Sequence, residues 1–267
     1  MRSITFAVSK GGVGKSLLTA NVGAALAEDG KRVVLVEGDP NRPLQTILGI
    51  NTSSGFKLDE VVKKDMEIEK AIYPTSINNL FLVPSGVSLQ DYFEMDPVNF
   101  AKKLLGVKAD FMLVDAPFPL GKAAFLSLGL CEYFVLILTE DEFVLCVESA
   151  IDTLRLGRYL LKCVPLGFVL NRIKTPEKFT EDFVKDIEGL LEVSCIAQVR
   201  EDSKVSKSYG GVRSEESFLA YQRFPESQFA KSLHEIANML LGKFPRPEKE
   251  DVVKFIQDLI QPSKLSV

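Results

Sequence analysis

Tryptophan is absent from this 267-residue chain, and histidine occurs once, at His234. A single imidazole removes the usual base from Ser-His-Asp and Cys-His catalysis and leaves too few nitrogen ligands for a histidine-rich metal centre. His234 falls in a late helical stretch and is expected to be a surface or packing residue. Cysteine is also scarce. Cys131, Cys146, Cys163 and Cys195 share no C-x-x-C spacing and mostly sit in apolar surroundings. That pattern favours buried thiols in a reducing compartment over metal ligands. No apolar run reaches the roughly 18 residues that a membrane-spanning helix needs. The N-terminus enters an apolar strand without the layout of a secretory leader, so a cytoplasmic protein is expected. A basic excess is missing too: 32 Lys and Arg face 36 Asp and Glu, for a net charge of −4. This disfavours a broad non-specific DNA-binding surface.

What is present is apolar and periodic. Strand-like runs, most of them continuously apolar, occur at 4–8, 33–37, 80–83, 111–115, 134–138 and 166–170, with a weaker one near 193–199. Because they are unbroken rather than alternating, they predict strands buried on both faces, as in a parallel sheet covered by helices. Helical stretches at 15–29, 97–105, 142–161, 177–190 and 226–241 lie between or after them, and Gly30 fits the position just past the first helix. The alternation predicts an α/β fold with a doubly wound, mostly parallel sheet and helices on both faces. The length suffices for one large domain. Ligands of such folds bind beyond the carboxyl ends of the strands.

The segment Ser9-Lys10-Gly11-Gly12-Val13-Gly14-Lys15-Ser16 lies at that place, after the first strand and before the first helix. Its glycines let successive backbone N–H groups converge on one anion, and the helix start adds further unpaired donors. Gly11, Gly12, Val13, Gly14, Lys15, Ser16 and Leu17 are therefore the candidate nucleotide-binding residues. Lys15 is expected to reach the β- and γ-phosphates of ATP, and the Ser16 hydroxyl to ligate Mg²⁺. Asp115 ends the strand at 111–115, where a carboxylate can hold the metal directly or through water, although an Asp before Pro117 can also simply open a turn.

Ser9 stands where a strict P-loop has glycine, and Lys10 is unusual inside such a loop. Both features resemble the deviant Walker A loop of the MinD/ParA ATPases, nearest to their MinD-like members. The likeness continues through Thr19-Ala20-Asn21-Val22-Gly23-Ala24-Ala25-Leu26-Ala27 and Gly30-Lys31-Arg32-Val33-Val34-Leu35-Val36. The resemblance implies a P-loop NTPase of the SIMIBI class that dimerises on ATP and switches partner binding by hydrolysis, in cell division or in cargo and chromosome positioning. It implies that Lys10 crosses to the ATP of a twin subunit, supplying charge as an arginine finger does. It gives Asp39, in Glu37-Gly38-Asp39-Pro40, the water-orienting role of switch I and a place near the metal with Ser16 and Asp115. Glu37 replaces the family's first Asp, so turnover is expected to be slow. Asn171 and Arg172, closing the strand at 166–170, take the place where the family reads adenine. Arg200-Glu201-Asp202 corresponds to a Pro-Glu-Asp loop near the base, with its proline missing.

The resemblance covers residues 1–242 as an ATPase domain. Residues 243–267 read as a stiff linker and an amphipathic helix, with Val252, Phe255, Ile256, Leu259 and Ile260 at helical spacing. MinD-like proteins often carry a membrane-targeting helix there. Here Glu248, Glu250, Asp251 and Asp258 mix with Lys249 and Lys254, a pattern that favours packing on its own domain or on a partner over a membrane surface. Rival readings are a ParA-like DNA-segregation ATPase, a non-catalytic nucleotide-gated adaptor, and a small-molecule ligase or kinase. The identity of the protein partner is not encoded in any recognisable motif.

Overall fold

Val33, Val34, Leu35 and Val36 are all completely buried, and they divide between two apolar cores. Val33 and Leu35 face one layer of helices, while Val34 and Val36 face the other. This is how an unbroken apolar strand is satisfied on both sides. A computed structural model describes residues 1–7, 10–39, 41–86, 96–116, 127–205, 219–249 and 251–260. The sequence expectations at Val8, Ser9, Pro40, Pro117, Glu250 and Gln261 lie outside the described residues, as does the whole stretch 206–218.

Strands β1 (Arg2–Ala7), β2 (Val33–Glu37), β3 (Tyr73–Pro74), β4 (Leu80–Val83), β5 (Phe111–Asp115), β6 (Tyr133–Thr139), β7 (Val164–Ile173) and β8 (Cys195–Arg200) form one sheet. Their order is β3-β4-β2-β5-β1-β6-β7-β8. Every pairing is parallel except the short β3, which runs against β4. The sheet is doubly wound about β1, which lies between β5 and β6, so the crevice beyond the carboxyl end of β1 is the place for a ligand.

Helix α1 (Lys15–Glu28) packs between the sheet and α8 (Gln228–Leu240). It is buried nearly all round, and its Ala- and Gly-rich sequence allows that close approach. A methyl group on Gly23 would come within 2.7 Å of Leu35. On the opposite face α3 (Leu58–Lys63), α4 (Pro97–Leu105) and α9 (Val252–Ile260) cover the second core. The short α2 (Pro43–Leu48), α3, and α7 (Ala220–Arg223) have no counterpart in the sequence reading.

Two expected boundaries shift. The helix expected over 142–161 is α5 (Phe143–Arg155) followed by a π-helical turn, Leu156–Leu160, and Glu142 stands before it in the left-handed region at φ 52°. The helix expected over 177–190 starts later, as α6 (Glu181–Leu191), because the Thr180 side chain caps it. Strand β7 runs to Ile173, so Asn171 and Arg172 lie within it rather than closing it at Leu170. Their polarity hid the continuation.

Residues 243–249 form a strap along the amino ends of the strands. Phe244 packs against Tyr133 with the two rings tilted, and the Arg2 guanidinium lies over the Phe244 ring. The Tyr133 hydroxyl donates to the Pro245 carbonyl at 3.2 Å. The Lys249 ammonium is buried and donates to the carbonyls of Gly129 and Cys131 at 2.7 and 2.9 Å. Beyond the strap, Ile256 of α9 is buried in the core that contains Phe100 and Leu104 of α4. The cysteines are unpaired, three of them buried and Cys195 partly so. His234 is exposed and shares the Tyr221 hydroxyl with Glu28. Among the described residues no helix is long and apolar enough to cross a membrane.

Candidate functional site

The loop between β1 and α1 turns on two glycines with positive φ, Gly12 at 75° and Gly14 at 92°. Gly14 also packs tightly: a methyl group there would lie 2.6 Å from the Asn171 amide nitrogen. Its carbonyl accepts the Leu18 N–H at 2.9 Å and so begins α1. The loop opens into a cleft of about 500 Å³, a size suited to a nucleotide, whose walls include Lys15, Ser16, Asp39, Asn171, Glu201 and Phe229.

The acidic side of the cleft is built by strand ends. Parallel pairing sets Glu37 of β2 opposite Asp115 of β5. Asp115 is fully buried, and among the described residues neither carboxylate oxygen accepts a hydrogen bond of ordinary geometry. Its pKa is raised to about 7, chiefly by burial, with Glu37 and Asp39 adding to the rise and the Ser16 hydroxyl and the Lys15 ammonium opposing it. An orphaned buried carboxylate beside a hydroxyl, facing a glycine-rich anion cradle, is a donor set of oxygens suited to Mg²⁺. The residues present therefore fit the ion. Lys15 is itself buried and donates to the Lys10 carbonyl at 2.9 Å; burial lowers its pKa, and Asp115 and Asp39 oppose that.

Asp39 sits at the cleft wall, where one of its oxygens accepts both the Asn41 N–H and the Asn41 side-chain amide, at 2.8 and 2.9 Å. Glu37 turns elsewhere. Its carboxylate accepts the Gln45 backbone N–H at 3.1 Å and the Gln45 side-chain amide. Burial raises its pKa to about 7 against these donors.

Lys10 is not free. Its ammonium lies 2.6 Å from a Glu142 carboxylate oxygen and donates to the Asp141 carbonyl at 3.2 Å and to Cys146 Sγ at 3.7 Å. Partial burial disfavours the charge, but Glu142 and Cys146 outweigh it and raise the pKa. Asn171 and Arg172 support the loop from behind. Asn171 donates to the Val13 carbonyl at 2.8 Å and Arg172 to the Gly12 carbonyl at 3.2 Å. Arg172 also pairs with Asp141 and Glu201, and Lys174 pairs with Asp141 at 2.8 Å. The 140–142 turn thus ties the Lys10 side of the loop to the Arg200-Glu201-Asp202 side of the cleft.

The structure brings Gly11, Gly12, Gly14, Lys15, Ser16, Leu17, Asp39, Asn171 and Arg172 to one cleft, with Val13 buried beneath it. Asp115 lies just below its floor, adjoining Ala116 of the lining. Sequence reasoning missed Asn41, Val205 and Phe229, which also line it. An apolar residue in an amphipathic helix such as Phe229 carries no mark that separates cleft from core. It also missed Glu142, which meets Lys10 only through the fold.

Comparison with known proteins identifies the family. The CobQ/CobB/MinD/ParA nucleotide binding domain family matches residues 4–211. An uncharacterised ATP-binding protein of Methanocaldococcus jannaschii is 31% identical over 99% of this chain and 97% of its own length. The septum site-determining protein MinD of Synechocystis is 30% identical over 76% of this chain and 77% of its own. The structure of MinD from Pyrococcus horikoshii complexed with Mg-ADP superposes with a TM-score of 0.72 at 28% identity, covering 90% of this chain and 95% of that one. The chain belongs to the CobQ/CobB/MinD/ParA nucleotide-binding family.

Proposed function

We propose that this member of the family is a slow, MinD-like ATPase that binds Mg·ATP, closes into a homodimer around it, and on hydrolysis changes its hold on a protein partner in a spatial-positioning role. The observation that carries the reading is Asp115, a buried carboxylate with neither oxygen satisfied among the described residues, set beside Ser16 and Lys15 at the foot of the glycine loop. Ser16, Asp39 and Asp115 would hold Mg²⁺, which neutralises charge on the phosphate oxygens when bound.

The loop amides of Gly11 to Leu17 receive phosphate oxygens, with Lys15 as the fixed cation. Asp39, held by Asn41, orients a water for attack on the γ-phosphorus. Lys10 leaves Glu142 and turns to the nucleotide of the second subunit, so dimer formation exchanges one ion pair for another. Asn171 and Arg172 keep the loop in shape from its outer side and border the base end of the cleft. Helix α9 serves its own domain, consistent with the burial of Ile256, and the acidic net charge speaks against a DNA platform.

Phosphate release with Mg·ATP, compared with an Asp39→Ala control, tests the chemistry. Light scattering under ATP, ADP and no nucleotide tests the switch. Turnover equal to the control would leave a nucleotide-gated adaptor, and a mass unchanged by ATP would remove dimerisation.

A further inference from the structure

We infer that Glu37 is a positioning residue that clamps α2 and thereby fixes Asp39, and that it acts through hydrogen bonds to Gln45 rather than as a metal ligand. The inference rests on the proposed role of Asp39. Glu37 is completely buried at the end of β2, and its carboxylate grips both the backbone and the side-chain amide of Gln45 in α2. The backbone of Leu44 and Ser85 adds further donors. Gln45 is held from its other side, since its carbonyl oxygen accepts the Thr52 hydroxyl at 2.6 Å. The end of α2 nearer Asp39 is anchored in turn. The Arg42 N–H donates to the Asp39 carbonyl at 3.0 Å, the Ser85 hydroxyl donates to the same carbonyl at 3.2 Å, and Asn41 grips the Asp39 carboxylate.

A continuous set of hydrogen bonds therefore runs from Glu37 through α2 to the carboxylate at the cleft wall. The length of the side chain decides it. An aspartate at position 37 would stop about 1.5 Å short, which carries the 3.1 Å contact to the Gln45 N–H outside hydrogen-bonding range. α2 has only six residues and makes little helix structure of its own, so its position depends on what grips it. The longer acid, which on sequence alone weakens the site, supplies that grip.

The test uses the full chain carrying Glu37→Asp, Gln45→Met, or both. Without nucleotide, deuterium exchange at the Leu44 and Gln45 amides should quicken at least tenfold in Glu37→Asp, and less in Gln45→Met. The kcat for phosphate release should fall at least tenfold in Glu37→Asp while the Kd for Mg·ADP stays within threefold. The double variant should lose no more than Glu37→Asp, because both act on one link. Unchanged amide exchange overturns the clamp. Exchange quickened with kcat unaltered overturns the positioning role, and a raised Kd with kcat intact marks Glu37 as a direct ligand. Should Glu37→Asp fail to fold, Gln45→Met carries the same readings. If the wild-type chain itself releases no phosphate, the hydrolysis reading fails alone, and amide exchange still decides whether Glu37 holds α2.

Discussion

Replacing Asp115 with asparagine should make the chain more stable and unable to use magnesium. In the fold the Asp115 carboxyl titrates near pH 7, against an ordinary value of 3.8, because it is fully buried with Glu37 and Asp39 close by. That displacement corresponds to on the order of 4 kcal/mol. Folded-state pKa above unfolded-state pKa means the folded chain holds the extra proton between about pH 4 and pH 7. Stability is therefore highest at the acidic side of that window and declines as pH rises through it, levelling off above about 7. Glu37, also raised to about 7, slopes the same way. An amide at this position keeps the shape and removes the charge. Thermal and urea unfolding of the nucleotide-free protein at pH 5 and pH 8 should show the wild type losing stability across the interval and Asp115→Asn losing roughly half as much, because Glu37 keeps its own slope. At pH 8 the variant should be the more stable by a few kcal/mol, somewhat less than the full figure because a buried amide also needs partners. Mg²⁺ should then no longer strengthen nucleotide binding, as read by calorimetry with and without the ion. Asp115→Asn equal to or weaker than wild type at pH 8, with the same pH slope, would refute the reasoning.

Lys10→Ala should bind ATP yet neither dimerise nor hydrolyse it, whereas Glu142→Gln should favour the ATP dimer by releasing Lys10; light scattering reads the dimer in both and phosphate release reads hydrolysis. Because the Glu142 side chain is largely exposed, its loss should change stability by less than about 1 kcal/mol. Gly14→Ala forces a Cβ onto Asn171 at a φ of 92°, which costs roughly 1–2 kcal/mol in backbone strain alone; nucleotide affinity should drop at least tenfold by calorimetry. Ile256→Ala should destabilise the chain by about 2 kcal/mol or more if α9 is an integral part of the second core. The same variant should leave vesicle co-sedimentation under ATP at the wild-type background, and pelleting that depends on Ile256 would reverse the assignment of α9.

Sequence made the central strands legible because burial on both faces writes itself as an unbroken apolar run, as at 33–36 and 111–114. The glycine loop was legible for a related reason, since glycine adopts the positive φ of positions 12 and 14 at the least cost. Helices α2 and α3 escaped because six residues hold too little of a 3.6-residue period. The end of β7 escaped because Asn171 and Arg172 are polar yet remain in a strand. The Lys10 pairing escaped for a deeper reason: Glu142 is 132 positions away and meets it only after β1 and β6 are laid side by side. Likewise Glu37 reads as a weakened switch residue until Gln45 is seen in its grip.

The strap of residues 243–249 gives the molecule two poles. It is stitched to Arg2, Gly129, Cys131 and Tyr133, where strands β1 and β6 begin, whereas the glycine loop rises where β1 ends. A seven-residue strand such as β6 separates the two by roughly 23 Å. The strap thus lies on the underside of the sheet, and an object gripping it would leave the mouth of the glycine-loop cleft facing outward and open to a second visitor.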